Sequence, residues 1–189
     1  LLPQFDSIKP IGDLKITQQK FYRISGGATQ LKGVTPDIVL SDPYEFIDLG
    51  EKELENPMPW DTISRAAYAA FSDIKYSSVI KNSKKRTSVN PQFALIDEQA
   101  KEIKSKREDT KYNLKLEKFR AEQKQFRDQN KKYEDLRKEI KNFSASLLGE
   151  EKTKLSGDTT RLGREERWSK NVAKDIYIFE SSNVVNDLR

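Results

Sequence analysis

Residues 12–37 read GDLKITQQKFYRISGGATQLKGVTPD, and this stretch decides the fold expected of the chain. Leu14 and Ile16 alternate with polar neighbours, and Phe21-Tyr22 continue a β-prone run. Gly26-Gly27 then offers a turn, because residues without Cβ take positive φ at little cost. A second extended segment closes at Gly33, Pro36 and Asp37. The pattern predicts a β-hairpin over residues 12–40, ended by the turn chemistry of Ser41-Asp42-Pro43.

Before it, Leu1 to Ile11 reads as a loosely anchored lead-in, since Pro3 and Pro10 oppose regular pairing. After it, residues 44–60 cross irregularly through Asn56-Pro57-Met58-Pro59. Helices are expected from Trp60 onward, with Trp60 as a packing anchor and Asp61 as N-cap. Ile63, Ala66, Ala67 and Ala70 then recur at helical spacing. Lys81 to Ser88 reads as a solvated basic connector. Asn90-Pro91 starts the next helix, whose apolar stripe is Phe93, Ile96, Ala100 and Ile103. Asp97 with Lys101 and Glu102 with Lys106 are acid-before-base pairs along it. Glu108-Asp109-Thr110 breaks it.

Tyr112 to Leu114 is expected to be extended, followed by one long helix from Lys115 to Ser146. Phe119, Phe126, Tyr133, Ile140 and Leu147 recur every seven residues along it. The second seam position holds Lys115, Glu122 and Gln129, so packing along one edge is preferred to a two-stranded coiled coil. Gly149 to Gly157 reads as a flexible break. Trp168 and Val172 mark a short helix, and Asp175 caps a last one with Ile178, Val185 and Leu188 on its buried side.

Composition narrows the chemistry. The 189 residues are 35% hydrophobic and 34% charged, lean for a compact core, while nine Phe, seven Tyr and two Trp argue against disorder. With no histidine and no cysteine, disulfides, thiol catalysis and a histidine base are excluded. The net charge of +5 invites a nucleic-acid reading. Between Asp97 and Lys141, however, 15 Lys or Arg interleave with 11 Asp or Glu, so that reading ranks last. No apolar run approaches the roughly 18 residues of a membrane helix.

The remaining nucleophile candidates are Ser25 beside Gly26-Gly27, and Ser77-Ser78 near Lys81. Ser25 lacks the G-x-S-x-G context of a nucleophile elbow, and a lysine base needs a desolvated setting that the Lys81 region does not suggest. Glu150-Glu151 and Glu165-Glu166 stand beside basic residues and read as solvated surface. No catalytic, cofactor-binding or metal residue is therefore assigned, and no cofactor.

A resemblance adds to this reading. Gly12-x-Leu14-x-Ile16-Thr17, Lys20-Phe21-Tyr22, Gly26-x-x-Thr29-Gln30 and Gly33-Val34-x-Pro36-Asp37 resemble the end of the protease core in carboxy-terminal processing peptidases. Those are serine peptidases with a Ser-Lys dyad. KFYRISGGATQLKGVTPDIVL, Gly50-Glu51-Lys52 and Pro59-Trp60-Asp61 resemble the tail-specific branch of that family. The likeness covers residues 12–61 well and the helical remainder loosely. The family's nucleophilic serine and its Gly-Lys-Gly-x-Val-Gln segment lie upstream of this hairpin and are not found here, so this chain alone is expected to be inactive.

The expected architecture is α+β, read from these residue patterns alongside the resemblance. Residues 1–45 would be the terminal β segment of a protease core, and 46–189 a helical accessory domain with one long helix. The resemblance implies the C-terminal portion of a periplasmic or envelope serine endopeptidase acting on protein substrates with apolar C-termini. The helical part would serve as scaffold, substrate positioner or contact for an adaptor protein. The alternative is a stand-alone helical interaction module, self-associating through the Phe119 to Leu147 seam.

Overall fold

A computed structural model describes residues 16–69 and 76–189. It divides the chain into two units, residues 1–35 with 49–70 and residues 36–48 with 71–189. The lead-in, Gly12 to Lys15 of the expected hairpin, and Ala70 lie outside the described residues.

In the first unit the expected hairpin reduces to a pinned turn. Gly26 N donates to Arg23 O at 2.8 Å, Arg23 N to Gly27 O at 3.0 Å and Thr29 N to Phe21 O at 3.0 Å. Among the described residues only two isolated bridges form, Tyr22 with Ala28 and Gly27 with Thr62, and there is no strand. The α+β expectation is therefore overturned in favour of a helical protein. The reason is burial: Ile16 is 63% and Phe21 71% exposed, so the β-prone residues cover nothing, and a lone hairpin without a buried face is marginal. Gly26 itself is obligatory. Its φ is +89°, and a Cβ there would collide with Ile63 O.

The same turn explains why no helix starts at Trp60. Ile63 N donates to Gly26 O at 2.8 Å and Ala66 N to Ile24 O at 2.9 Å, so these amides serve the turn rather than a helical ladder. Asp61 caps nothing. Its carboxylate takes the Tyr22 hydroxyl at 3.0 Å and the Lys20 ammonium at 3.0 Å. Trp60 does anchor the turn: Nε1 donates to Ala28 O at 2.9 Å, and the Lys32 ammonium lies 3.4 Å from its ring centroid.

The second unit holds α1 (Tyr76–Val89), α2 (Pro91–Glu108), α3 (Leu116–Asn130), α4 (Gly149–Leu155), α5 (Thr159–Val172) and α6 (Ile176–Asp187). Helix α2 starts as expected, with the Asn90 side chain accepting from Gln92 N at 2.9 Å and Pro91 in the first turn. Phe93, Ile96 and Ala100 are buried on its inner face. Asp175 caps α6, accepting from Tyr177 N and Ile178 N. The buried side of α6 differs from the expected one: Ile176 and Glu180 are buried, whereas Ile178, Val185 and Leu188 are exposed. The core is Phe93, Ile96 and Ile176, with Leu40, Leu136, Ile140, Tyr177 and Phe179 packed around it. Phe93 meets Tyr177 edge-on at 6.0 Å, and Phe143 meets Phe179 edge-on at 5.3 Å.

The long helix is also corrected. Helix α3 stops at Asn130, a 3-10 segment runs over Lys131–Arg137, and residues 138–148 are not helical. The tighter winding turns Tyr133 into a buried site, and it brings the Lys132 ammonium onto α2. Asn142 then takes φ +62°, incompatible with a continuing helix. Conversely, the expected connector at Lys81–Ser88 is helical within α1, and the expected break at Gly149–Gly157 is mostly α4. Acidic residues in the first turn of α4 and basic ones in its last suit the helix dipole.

Candidate interaction site

None of the nominated nucleophiles sits in a constructed site. Ser25 is exposed in the turn, and Ser77, Ser78 and Lys81 are exposed along the start of α1. Glu150 and Glu151 are exposed at the start of α4, while Glu165 and Glu166 lie on α5. No group of three or more acidic side chains with metal-holding geometry occurs among the described residues.

The heptad seam leads to a better-formed place. Its members differ sharply in burial: Tyr133 is 7% exposed, but Phe119 and Phe126 are 37% and 38% exposed. Beside Phe126, α2 and α3 splay around a cavity of about 310 Å³, with Ile103, Phe126 and Tyr133 on its apolar walls. Glu102, Lys106 and Arg107 also line it. The Lys106 ammonium is 5.6 Å from the Phe126 ring centroid and 6.0 Å from that of Tyr112. Arg107 donates to Asp48 O at 3.1 Å.

Electrostatics fix the wall of this cavity. Lys132 donates to Glu102 at 2.6 Å and to Glu98 at 2.7 Å, tying the 3-10 segment to α2. Those two hydrogen bonds raise the Lys132 pKa well above the ordinary lysine range. Burial pushes the Glu102 carboxyl up, but its hydrogen bond from Lys132 and the adjacent charge leave it below the usual range. The expected Glu102–Lys106 helix pair is thus replaced by a tertiary one, whereas Lys101 does reach Asp97 at 2.6 Å.

The Tyr133 phenol lies in the field of Glu102 and Lys132, yet its hydroxyl completes no hydrogen bond of good geometry. Burial first, and Glu102 second, push its pKa up to about 12. Tyr177 donates to Ser41 O at 2.8 Å and is likewise pushed up to about 12, by burial and then by Asp42 and Asp175. The unfolded chain ionises these phenols near 10.0, so above that pH it binds fewer protons than the fold. Stability is expected to fall as pH rises from 10 toward 12. Urea titrations across that range should show a shallower fall for Tyr133→Phe and Tyr177→Phe.

Sequence reasoning missed the strongest polar feature. Arg86 of α1 donates to Glu180 of α6 at 2.8 Å and to Asp187 at 2.7 Å, and Glu180 is 2% exposed. One signal was available: Glu180 stands four residues after Ile176, so the two share a helix face, and a carboxylate buried there needs a cation.

A family model described as the C-terminal domain of tail specific protease matches residues 44–189. The tail-specific protease of Haemophilus influenzae is 37% identical over 108 residues, covering 54% of this chain. The aligned part is 15% of that relative's own length. The family match takes in α1 to α6, which the residue-by-residue resemblance covered only loosely.

Proposed function

The chain belongs to the family of C-terminal domains of tail-specific proteases, and from that premise we propose that it is the contact-making portion of a periplasmic, carboxy-terminal processing serine endopeptidase. The match over residues 44–189 carries this reading. It also supports a boundary near residue 45, between the terminal segment of the protease core and the helical domain. In this reading the helices hold a scaffold and offer surfaces to protein substrates with apolar C-termini or to an adaptor, and the Ser-Lys dyad is supplied elsewhere in the protease. The cavity between α2 and α3, with apolar walls and the Lys106 ammonium beside it, is a surface of the kind such contacts use. Among the described residues no helix is long and apolar enough to cross a membrane.

A second reading, a helical module that self-associates, draws on the half-exposed Phe119 and Phe126. In that case melting temperature would rise with protein concentration. The proposed reading is tested by turnover. The purified chain is expected not to cleave peptides with apolar C-termini. Specific cleavage that persists after contaminating proteases are removed would overturn it.

A further inference from the structure

We propose that the outer face of α5 is a docking surface for an acidic segment of a partner protein. Trp168 is 61% exposed there, an unusual position for the largest apolar side chain. At 3.6 residues per turn, Arg161, Arg164, Arg167 and Trp168 fall within an arc of about 120°. The three arginines are exposed, and none forms an ion pair among the described residues. Ser169 is buried and Leu162 partly buried, so α5 turns its remaining packing residues inward.

An open concavity of about 690 Å³ lies along this face, lined by Asp158, Arg161, Arg164, Glu165 and Trp168. Asp158 accepts from Arg161 N at 2.9 Å, so its carboxylate serves the helix cap.

The charge and shape choose the occupant. Arg161 and Arg164, which line the concavity with the Trp168 indole, and Arg167 on the same helix face offer forked donors for carboxylates beside a flat apolar platform. Tryptophan and arginine are the residues that dominate binding energy at protein interfaces. A lipid surface fits less well. An interfacial helix needs a broad apolar face, whereas α5 presents a single tryptophan, with Glu165 beside the arginines. Discrete carboxylates on a peptide can meet the arginines and avoid Glu165. This inference does not depend on the protease reading.

The test uses the full chain with Trp60→Phe, which leaves Trp168 as the only indole. A short oligoglutamate peptide is titrated while Trp168 emission is followed. Saturable binding is expected. Arg161→Gln with Arg164→Gln should weaken it at least ~10-fold, as expected for lost charge-assisted pairs. Lys111→Gln with Lys115→Gln, the same charge change at exposed positions elsewhere, should alter it less than ~2-fold if the effect is local. Circular dichroism checks that each variant keeps its helices. Equal weakening by both double variants, or no saturable binding, would overturn the proposal. So would arginine-dependent binding to phosphatidylglycerol vesicles without binding to oligoglutamate, which would assign the face to lipid.

Discussion

Replacing Arg86 by alanine is expected to destabilise the second unit by about 3 kcal/mol, the lower end of the cost of breaking a buried ion pair. The cost comes from what is left behind. Glu180 has a side chain 3% exposed, and Arg86 reaches it through both Nε and Nη2. Without the guanidinium, a carboxylate would remain in the interior with no cation, and Asp187 would lose its partner at 2.7 Å. The arginine side chain is 32% exposed, so solvent moderates the loss, hence the lower figure. The network also joins α1 to α6, elements far apart in the chain, so its loss should loosen α1 first. Urea denaturation of wild type and Arg86→Ala measures the effect. A loss under ~1 kcal/mol, the range of surface pairs, would show that Glu180 is not confined as described. Arg86→Met with Glu180→Leu should recover much of the stability, because the unpaired charge is gone.

The second large effect concerns Phe93. It is 4% exposed, lies in the core with Ile96 and Ile176, and meets the Tyr177 ring at 6.0 Å. Phe93→Ala removes both the buried area and the ring contact, and should cost ~3–5 kcal/mol. Phe126 belongs to the seam that sequence periodicity singled out, but it is 38% exposed and borders a cavity. Phe126→Ala should therefore cost only about 1 kcal/mol, since less of its surface leaves water on folding. Thermal melts of the two variants compare the sites directly. Equal losses would mean that the seam belongs to the core as much as the α2–α6 contact does.

These two sites show what the sequence made legible. Asn90-Pro91 and Asp175 identify two helix starts because capping is local chemistry that neighbouring residues cannot hide. The stripe Phe93, Ile96, Ala100 and Ile103 is equally local; its first three members are buried, and Ile103 is half-buried at the cavity. Helix α1 was invisible for the opposite reason. Its buried positions are Val79 and Ser83, and its main tertiary bond is ionic, so no apolar stripe announces it. The hairpin failed differently: alternation records a preference for a half-buried strand, but Ile16 and Phe21 have no sheet to cover. The seven-residue repeat was real as far as Phe126. It could not reveal that Lys132 would prefer Glu98 and Glu102 on another helix to a place on a straight one. The arginines of α5 were present in the sequence all along, but only the structure shows that they share a face with an exposed tryptophan.

Under the proposed function this domain makes contacts, and the chemistry lies in another part of the protease. This is tested most directly by placing Phe126→Ser with Lys106→Glu, both at the α2–α3 cavity, in a full-length tail-specific protease carrying this domain. Cleavage of a folded protein substrate and of a short peptide with the same apolar C-terminus is then measured. A raised KM for the protein substrate is expected, with kcat on the short peptide unchanged. A fall in kcat on the short peptide as large as the loss on the protein would contradict it.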